Sequence, residues 1–477
     1  MEMQNNEPIR TPPRRRRRSK LQIFKEAYLP TIILCITAVL VLVFIIGGVL
    51  KKDKPTNVEN PGSSASGSQS STENNPSDSV QPTSPSTSAQ AQEVASLLQQ
   101  AALLAQDYDY QGAIATLEGF SGVKADFPEL GAAIAQYQAC DEAMVTWPAD
   151  QVYDLSFHVL VADPQRAFSD AVYSSSYKSN FITTTEFINI LNALYQGDYI
   201  LVDLDDLYAL EYSSTYGTEI YVEKQLRLPE GKTPVMLTEI NASYYGYMQA
   251  GAQDGLADGF ASRLAYDGNH FYNEMILADG SIATGAYDMV PLLEAFIADH
   301  PDFSYRDARA VIAFAGYDRI LGYRINDNTL DADALQAERD GLADTIQALK
   351  NAGYKIGCYS YHNDRNYANW SAESINSDTI LWEEKVKPWV GKVEVYIFPW
   401  EADISDETPY TGNSKFTVLY NAGFRYFLGT GTETWSQVDN RYVRHNRLMI
   451  TGTYLKNKPE RFSALFDASA ILDSTRN

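Results

Sequence analysis

Hydrophobic positions along the last two thirds of the chain follow two alternating periods. Segments such as TTTEFINILNALYQ place apolar residues at helical spacing behind a threonine cap at Thr183. Between such segments lie short apolar runs typical of buried strands: LSFHVLVA, DYILVDLDD, PVMLTEIN, RAVIAFAGY, YKIGCYSYH, KVEVYIFP and GFRYFLGTG. This alternation over about 320 residues predicts a parallel sheet with crossover helices, either open or closed as a barrel.

A purely helical pattern precedes this region, in residues 92–148. Apolar residues recur at helical spacing from Val94 to Ala105, and a second helical stretch begins after an Asp-Tyr-Asp-Tyr turn. We predict a hairpin of the tetratricopeptide type, covered by a third helix from Leu130 to Val145. One such repeat cannot bury its apolar face alone, so we expect it to pack on the next domain as a spacer. A peptide-binding repeat is the alternative.

The N-terminal segment predicts a membrane anchor on a stalk. Residues 1–28 are a basic tail, and Leu29–Leu50 are 22 residues without a charge, enough for one membrane-spanning helix. Eight Lys or Arg residues precede this span and three follow it closely, which predicts a cytoplasmic N-terminus and an extracellular C-terminal part. A cleaved signal peptide is the alternative, although its apolar region would be shorter. Residues 51–91, rich in Ser, Pro and Asn, are expected to be a disordered stalk.

Charge and composition limit the partners. The formal net charge is −23, and residues 51–477 carry 30 positive and 58 negative side chains, so they stand near −28. This excess argues against nucleic acid and anionic polymers as partners. The 32 tyrosines suit a carbohydrate-facing groove as well as a large core. Cys35 lies in the apolar span. Cys140 and Cys358 are expected to be separate thiols, with a disulfide between them as the alternative.

Candidate chemistry lies where the predicted strands end, because active sites of parallel α/β proteins are found at the carboxyl ends of their strands. Polar and aromatic residues stand at the ends of PVMLTEIN, KIGCYSYHND, YIFPWEAD and RYFLGTG. We expect Tyr359, Tyr361 and Trp400 at the mouth of a groove. There they would either stack on sugar rings or plug the top of a barrel.

Several segments of this region occur together in one ordered series: LSFHVLVADPQRAF, TTTEFINILNALYQGDYILVDLDDLY, RLPEGKTPVMLT, DGFASRLAYD, YDMVPLLEAFIADHPDFSYRDARAVIAFAGYDRILGYR, YIFPWEADI, GFRYF and YVRHNRL. The series resembles the polysaccharide deacetylases, the NodB-like proteins of carbohydrate esterase family 4, in a membrane-anchored branch from Gram-positive bacteria. The resemblance implies an α/β fold at residues 149–477, an irregular (β/α)7 barrel. It also implies removal of acetyl groups from amino sugars of chitin-like or cell-wall glycans, with a divalent metal such as zinc.

The same resemblance places the family's reactive residues on positions that lack them. Two adjacent aspartates of the family, a general base and a metal ligand, fall on Ile240 and Asn241. Its two histidine ligands fall on Tyr359 and Asn363. An aliphatic side chain cannot take a proton, and neutral amides are poor substitutes for these ligands. We therefore expect no catalytic residue and no bound cofactor.

Neighbouring residues offer a different set of groups. Glu239 precedes the base position, but a shift of one residue turns a strand side chain to the opposite face. His362 precedes the second histidine position, and Trp400 and Glu401 stand where the family has an aromatic residue followed by glycine. A remodelled site of Glu239, His362, Glu401 and Asp364 is conceivable.

Three functions remain open at this point. The first is a membrane-anchored, extracellular, non-catalytic protein that binds cell-wall or capsular glycan through the former catalytic groove. The second is an active glycan N-deacetylase with a remodelled or metal-free site. The third is a cell-envelope scaffold that binds a partner protein through the helical hairpin of residues 92–148.

Overall fold

The computed structural model of the chain describes residues 85–250 and 257–476, which belong to one compact unit. Its α-helices are α1 Pro85–Gln106, α2 Tyr110–Glu118, α3 Pro128–Glu142, α4 Pro164–Ala167, α5 Ser174–Asn180, α6 Thr184–Gln196, α7 Leu204–Leu207, α8 Gly246–Ala250, α9 Met289–Asp299, α10 Ala332–Asn351, α11 Ala372–Lys385, α12 Lys387–Val390, α13 Ser414–Asn421, α14 Gly452–Asn457 and α15 Ala468–Ile471. Its strands are β1 Met144–Trp147, β2 Tyr153–His158, β3 Tyr199–Leu201, β4 Tyr208–Ser213, β5 Thr218–Glu223, β6 Leu226–Pro229, β7 Thr233–Ile240, β8 Arg263–Tyr266, β9 Phe271–Ile276, β10 Ile282–Gly285, β11 Val311–Phe314, β12 Lys355–Cys358, β13 Val395–Ile397, β14 Tyr426–Thr430, β15 Ser436–Asp439 and β16 Tyr442–Met449.

Seven parallel strands close into a barrel, so the predicted α/β fold with a parallel barrel is confirmed. The order around the barrel is β2, β7, β11, β12, β13, β14 and β16, and β16 pairs back to β2. The short strand β3 and the barrel strand β11 both pair with the same edge of β7. It pairs with Thr233–Val235, whereas β11 pairs with Thr238 and Glu239. The barrel is therefore irregular at this edge.

Alternation of side chains along the strands separates two apolar layers. On β7, Leu237 faces the helices that surround the barrel, whereas Met236 and Ile240 face the barrel interior. The layer under the helices is the larger one, and α6 contributes to it through an amphipathic face that begins after the Thr183 cap. Burial of these faces is what holds the helices on the barrel.

The helical hairpin packs against the end of the barrel where the strands begin. The Tyr108 ring stacks on the Tyr305 ring with centroids 6.2 Å apart, and its hydroxyl donates to the Asp302 carbonyl at 2.8 Å. Arg227 of β6 also pairs with Asp141 at 3.0 Å. Tyr108 is thus part of the apolar cluster inside the barrel, as well as a neighbour of the hairpin's own small core.

Two predicted boundaries in this part differ from the structure. Helix α1 begins at Pro85, inside the predicted stalk of residues 51–91. The third helix ends at Glu142 rather than at Val145, because Met144–Trp147 form a strand that pairs with β6. A cut at residue 148 would therefore remove a strand of the compact unit.

Several antiparallel strands extend the barrel, and none of them was predicted. β4 and β5 form a hairpin, β8, β9 and β10 form a three-stranded sheet, and β15 pairs with β16. Their residues are mostly half-buried or exposed, so they lack the continuous apolar runs that mark barrel strands.

Within residues 85–250 and 257–476, no helix is long and apolar enough to cross a membrane. The predicted basic tail, the predicted span Leu29–Leu50 and most of the predicted stalk lie outside the described residues. Cys140 is half-buried on α3 and Cys358 is buried on β12, and no disulfide joins them.

Candidate functional site

The loops at the carboxyl ends of the strands form the mouth of the barrel. Seven non-glycine residues there have left-handed backbone conformations: Asn241, Tyr244, Leu321, Ser360, Asn363, Trp400 and Glu401. Such conformations cost on the order of 1–3 kcal/mol each and persist only where the surrounding structure holds them. They tend to cluster at functional sites, and here they follow four successive strands of the barrel, β7, β11, β12 and β13.

A chain of hydrogen bonds joins the positions where the family has its aspartate and histidines. Asn363 Nδ2 donates to the Tyr245 hydroxyl at 3.1 Å, and this hydroxyl donates to Asn241 Oδ1. The Trp400 backbone N–H donates to the Tyr359 hydroxyl at 3.0 Å, and its indole Nε1 donates to the Asn363 carbonyl at 3.0 Å. The structure therefore brings Asn241, Tyr359 and Asn363 together, with Tyr245 and Trp400 as the links.

The other predicted site residues do not join this network. Ile240 is buried in the barrel interior, and Glu239 lies on the opposite face of β7, under the helices. His362 is turned toward α11, with Nδ1 2.7 Å from Asp378 Oδ1. Glu401 is exposed at the rim. Asp364 accepts the Asn366 N–H at 2.6 Å. Of the conceivable remodelled site, Glu239 and His362 therefore point away from the mouth.

Glu239 has a partner that the sequence did not reveal. Asp288 caps α9 through its Oδ1, which accepts the N–H groups of Met289 and Leu160. The second oxygen of Asp288 and Oε1 of Glu239 are buried, and the hydrogen-bonding side chains beside Asp288 are Glu239 and Tyr244. Burial and the neighbouring charge raise the pKa of Glu239 well above its ordinary value, and burial raises the pKa of Asp288 to about 6. Of the two carboxyl groups, Glu239 is therefore the one whose protonated form the site favours.

A group of buried polar side chains around Arg447 lies within the otherwise apolar interior below the mouth. Its guanidinium donates to Ser156 Oγ at 2.7 Å and to Thr430 Oγ1 at 3.2 Å, while its Nε has no acceptor among the described residues. Burial raises the pKa of Asp154 to about 6, and the positive charge of Arg447 opposes this rise. Burial and the same positive charge lower the pKa of His158 to about 4, so this imidazole is neutral at physiological pH.

Exposure distinguishes the two alternatives for the aromatic residues at the strand ends. Tyr359 and Tyr361 are only 4% and 6% exposed, so neither presents a ring face, whereas Trp400 is 46% exposed. Tyr247 and Tyr317 also present rings at the mouth, with 43% and 44% exposure. Their signal in the sequence is weak, because a tyrosine after a strand reads equally well as core.

The donor set at the mouth does not fit the metal that the family resemblance implies. Zinc takes Cys, His, Asp or Glu ligands, and no three such side chains in the described parts of the chain are placed to hold an ion. Asn241 and Asn363 offer amides, and the Tyr245 hydroxyl already bridges them. The hydroxyl of Tyr359 accepts from the Trp400 backbone.

Comparison with known proteins gives a weak likeness to a solved structure. A search of solved structures matches the chain to "Streptococcus pyogenes deacetylase PplD in complex with acetate", with a TM-score of 0.33 and 9% identity. The match covers 68% of this chain and 99% of that one. A likeness of this size assigns neither a family nor an activity. No protein-family profile and no curated protein matches the sequence.

Proposed function

We propose that this protein is a membrane-anchored, extracellular protein of the polysaccharide deacetylase type. In this proposal the mouth of the barrel binds cell-wall or capsular glycan and does not hydrolyse it. The observation that carries the proposal is the hydrogen-bonded chain Asn363–Tyr245–Asn241, which links two positions on which the family resemblance puts metal ligands.

The chemistry of this chain supports binding rather than turnover. Removal of an acetyl group needs a base that activates water and a positive group that polarises the carbonyl. At neutral pH the amides of Asn241 and Asn363 and the phenol of Tyr245 supply neither a base nor a positive charge, and Ile240 is aliphatic. Amides, a phenol and an exposed indole are, in contrast, the groups that donate to and accept from sugar hydroxyls and cover the apolar faces of sugars.

The proposed location rests on residues outside the described structure. The uncharged span Leu29–Leu50 and the excess of Lys and Arg before it favour an anchor with the barrel outside the cell. The cell-wall glycan would then be the polymer nearest to the barrel.

The proposal is tested with the full-length protein in detergent. We would measure binding of an N-acetylglucosamine hexamer and of soluble peptidoglycan fragments by calorimetry, and acetate release over hours, with zinc and with chelator. We expect saturable binding and no acetate above the no-protein control. Acetate release that Asn241→Ala and Glu401→Gln abolish would overturn the proposal in favour of an active deacetylase. No binding to any glycan tested would overturn it in favour of a scaffold.

A further inference from the structure

We infer that a cleft at the amino end of the barrel strands binds a small ligand that carries a carboxylate or phosphate group on an apolar body. The cleft lies between the β4–β5 hairpin and the segments that lead into β13, β14 and β16, so it is at the opposite end of the barrel from the mouth. Its volume of about 790 Å³ is in the range of small-molecule sites. A ligand there would not compete with a glycan at the mouth.

The group that would hold the anion is Arg425, which stands directly before β14. Its Nη1 donates to the carbonyls of Tyr420 and Phe424 at 2.8 Å each, and its Cζ lies 3.9 Å from the centroid of the Tyr420 ring. These contacts fix the side chain, while Nε and Nη2 have no acceptor among the described residues. A guanidinium with these two donors free can bind a carboxylate or phosphate through two parallel hydrogen bonds.

The other two basic residues of the cleft have carboxylate partners. Lys392 Nζ lies 2.8 Å from Glu394 Oε1, and Arg441 Nε lies 3.6 Å from Asp439 Oδ1. Arg425 also lines the cleft, and it forms no ion pair with a described residue. Its charge is therefore the one in the cleft that a ligand can neutralise.

The β4–β5 hairpin supplies an apolar wall. Leu210 of β4 lies directly opposite Tyr221 of β5, so both side chains are on one face of the hairpin. Tyr221 is buried, and its N–H donates to the Asn440 carbonyl at 3.1 Å, which ties the hairpin to the barrel. Farther out, Leu210 and Tyr216 line the cleft with 50% and 60% exposure. Open apolar side chains beside a free guanidinium suit a ligand with an apolar body and an anionic end.

The charge of the chain limits the size of this ligand. Residues 51–477 stand near −28, so a polyanion would be repelled along most of the surface. The carboxylates of Glu219 and Glu394 also line the cleft and would repel a second anionic group. The ligand is therefore a small molecule with one anionic group, which Arg425 receives.

The test measures binding of matched small molecules to the full-length protein in detergent by calorimetry, with titrations into detergent alone subtracted. The anionic probes are phenylpropionate and phenyl phosphate, which distinguish a carboxylate ligand from a phosphate ligand. Phenylpropanol and phenylpropylamine have the same ring and chain as phenylpropionate, but the first is neutral and the second is cationic.

The variants separate the guanidinium from the apolar wall. Arg425→Gln removes the charge, and Arg425→Lys keeps the charge without the paired donors. Their control is Arg339→Gln, because Arg339 also donates to a backbone carbonyl, at 3.0 Å, and also lies over an aromatic ring. Tyr216→Ala is compared with Tyr212→Ala, at a tyrosine of the same hairpin that does not line the cleft.

We expect one or both anionic probes to bind about tenfold more tightly than the alcohol and the amine. Arg425→Gln should weaken this binding by about tenfold, because two charge-assisted hydrogen bonds are lost, and Arg425→Lys should weaken it less. Tyr216→Ala should weaken it by about fivefold. Arg339→Gln and Tyr212→Ala should stay within about twofold of the parent.

Four results would overturn the inference. Neither anion binds at millimolar concentration, or the alcohol or the amine binds as tightly as the anions. Alternatively, a folded Arg425→Gln binds the anions like the parent, or Tyr216→Ala does. Melting temperatures show which variants fold, and if Arg425→Gln does not fold, Arg425→Lys replaces it. Glycan binding at the mouth is measured separately, so these results leave the proposed function standing.

Discussion

Glu239 and Asp288 form a buried carboxyl pair behind the mouth of the barrel. Tyr244 and Tyr354 also face this pair, and Glu294 and Arg309 lie beyond Tyr354. Because burial and Asp288 raise the pKa of Glu239 above its value in the unfolded chain, folding takes up a proton there at any pH between the two values. The contribution of Glu239 to stability is therefore complete below its ordinary pKa and is lost as the pH rises toward its raised value.

We predict that Glu239→Gln flattens this dependence. The Gln amide N–H can donate to Asp288 in place of the Glu239 carboxyl O–H, and folding of the variant then takes up no proton at this position. Between pH 6 and 8, the unfolding free energy of the parent should fall more steeply with rising pH than that of the variant. The two slopes should differ by up to about 1.4 kcal/mol per pH unit. Urea unfolding across this range measures the difference. Equal slopes for the parent and the variant would show that Glu239 is ionised in the native protein.

At the scale of elements, the helical hairpin depends on the barrel. Its apolar cluster is small, and Tyr108, in the turn between α1 and α2, joins the cluster inside the barrel. The side-chain contacts to Tyr305, Asp302 and Arg306 tie this turn to the barrel. The hairpin is consequently a docked part of the compact unit, in agreement with the expectation that one repeat needs a neighbour.

We predict that Tyr108→Ala loosens the hairpin and spares the barrel. Removal of a buried aromatic ring costs about 3–5 kcal/mol. Hydrogen exchange of amides in α2 and α3 should therefore become faster, while exchange in β7 and β12 stays slow. Leu103→Ala is the matched control, because Leu103 on α1 is 57% exposed. Equal acceleration in the barrel strands would mean that the hairpin and the barrel unfold together.

The ends of β7 and β12 also belong to this scale, because together they hold the positions on which the family resemblance puts a base and metal ligands. We predict that Ile240→Asp, Asn241→Asp, Tyr359→His and Asn363→His, combined with Tyr245→Phe to remove the bridging hydroxyl, create a zinc site. Asp and His tolerate the left-handed backbone at 241 and 363. The zinc-free variant should melt below the parent, and zinc should restore part of the loss.

Metal analysis and melting curves with and without zinc measure this prediction. The control variant carries Tyr245→Phe alone and should take up no zinc. A folded five-fold variant without one bound zinc per chain would show that the four positions do not meet closely enough for coordination.

At the scale of the whole molecule, the acidic barrel unit follows a basic tail and an apolar span. We predict that the full-length protein stays in the membrane fraction and that protease added to intact cells removes the barrel unit. The physical reasons are the 22 uncharged residues Leu29–Leu50 and the eight Lys or Arg residues before them. Full protection of the barrel unit in intact cells, with cleavage after lysis, would show that it lies inside the cell and that the predicted topology is wrong.

The sequence by itself determined the class of the fold. Period and length separate barrel strands from helices, because a buried parallel strand needs a continuous apolar run and a covering helix needs one apolar face. The run PVMLTEIN lies in β7, and the Thr183 cap opens α6 at Thr184. Alternation also settles that Glu239 and Ile240 face opposite sides of one strand.

Only the tertiary structure determined which residues contact each strand end. Alternation fixes the face of a side chain but not its neighbour, so the pairing of Glu239 with Asp288, 49 positions along the chain, could not be read from the pattern. Exposure of a tyrosine depends likewise on the loops that cover it. Tyr359 and Tyr361 are covered, and Tyr247 and Tyr317 are open, because the packing of neighbouring loops, rather than residue type, sets which ring faces reach solvent.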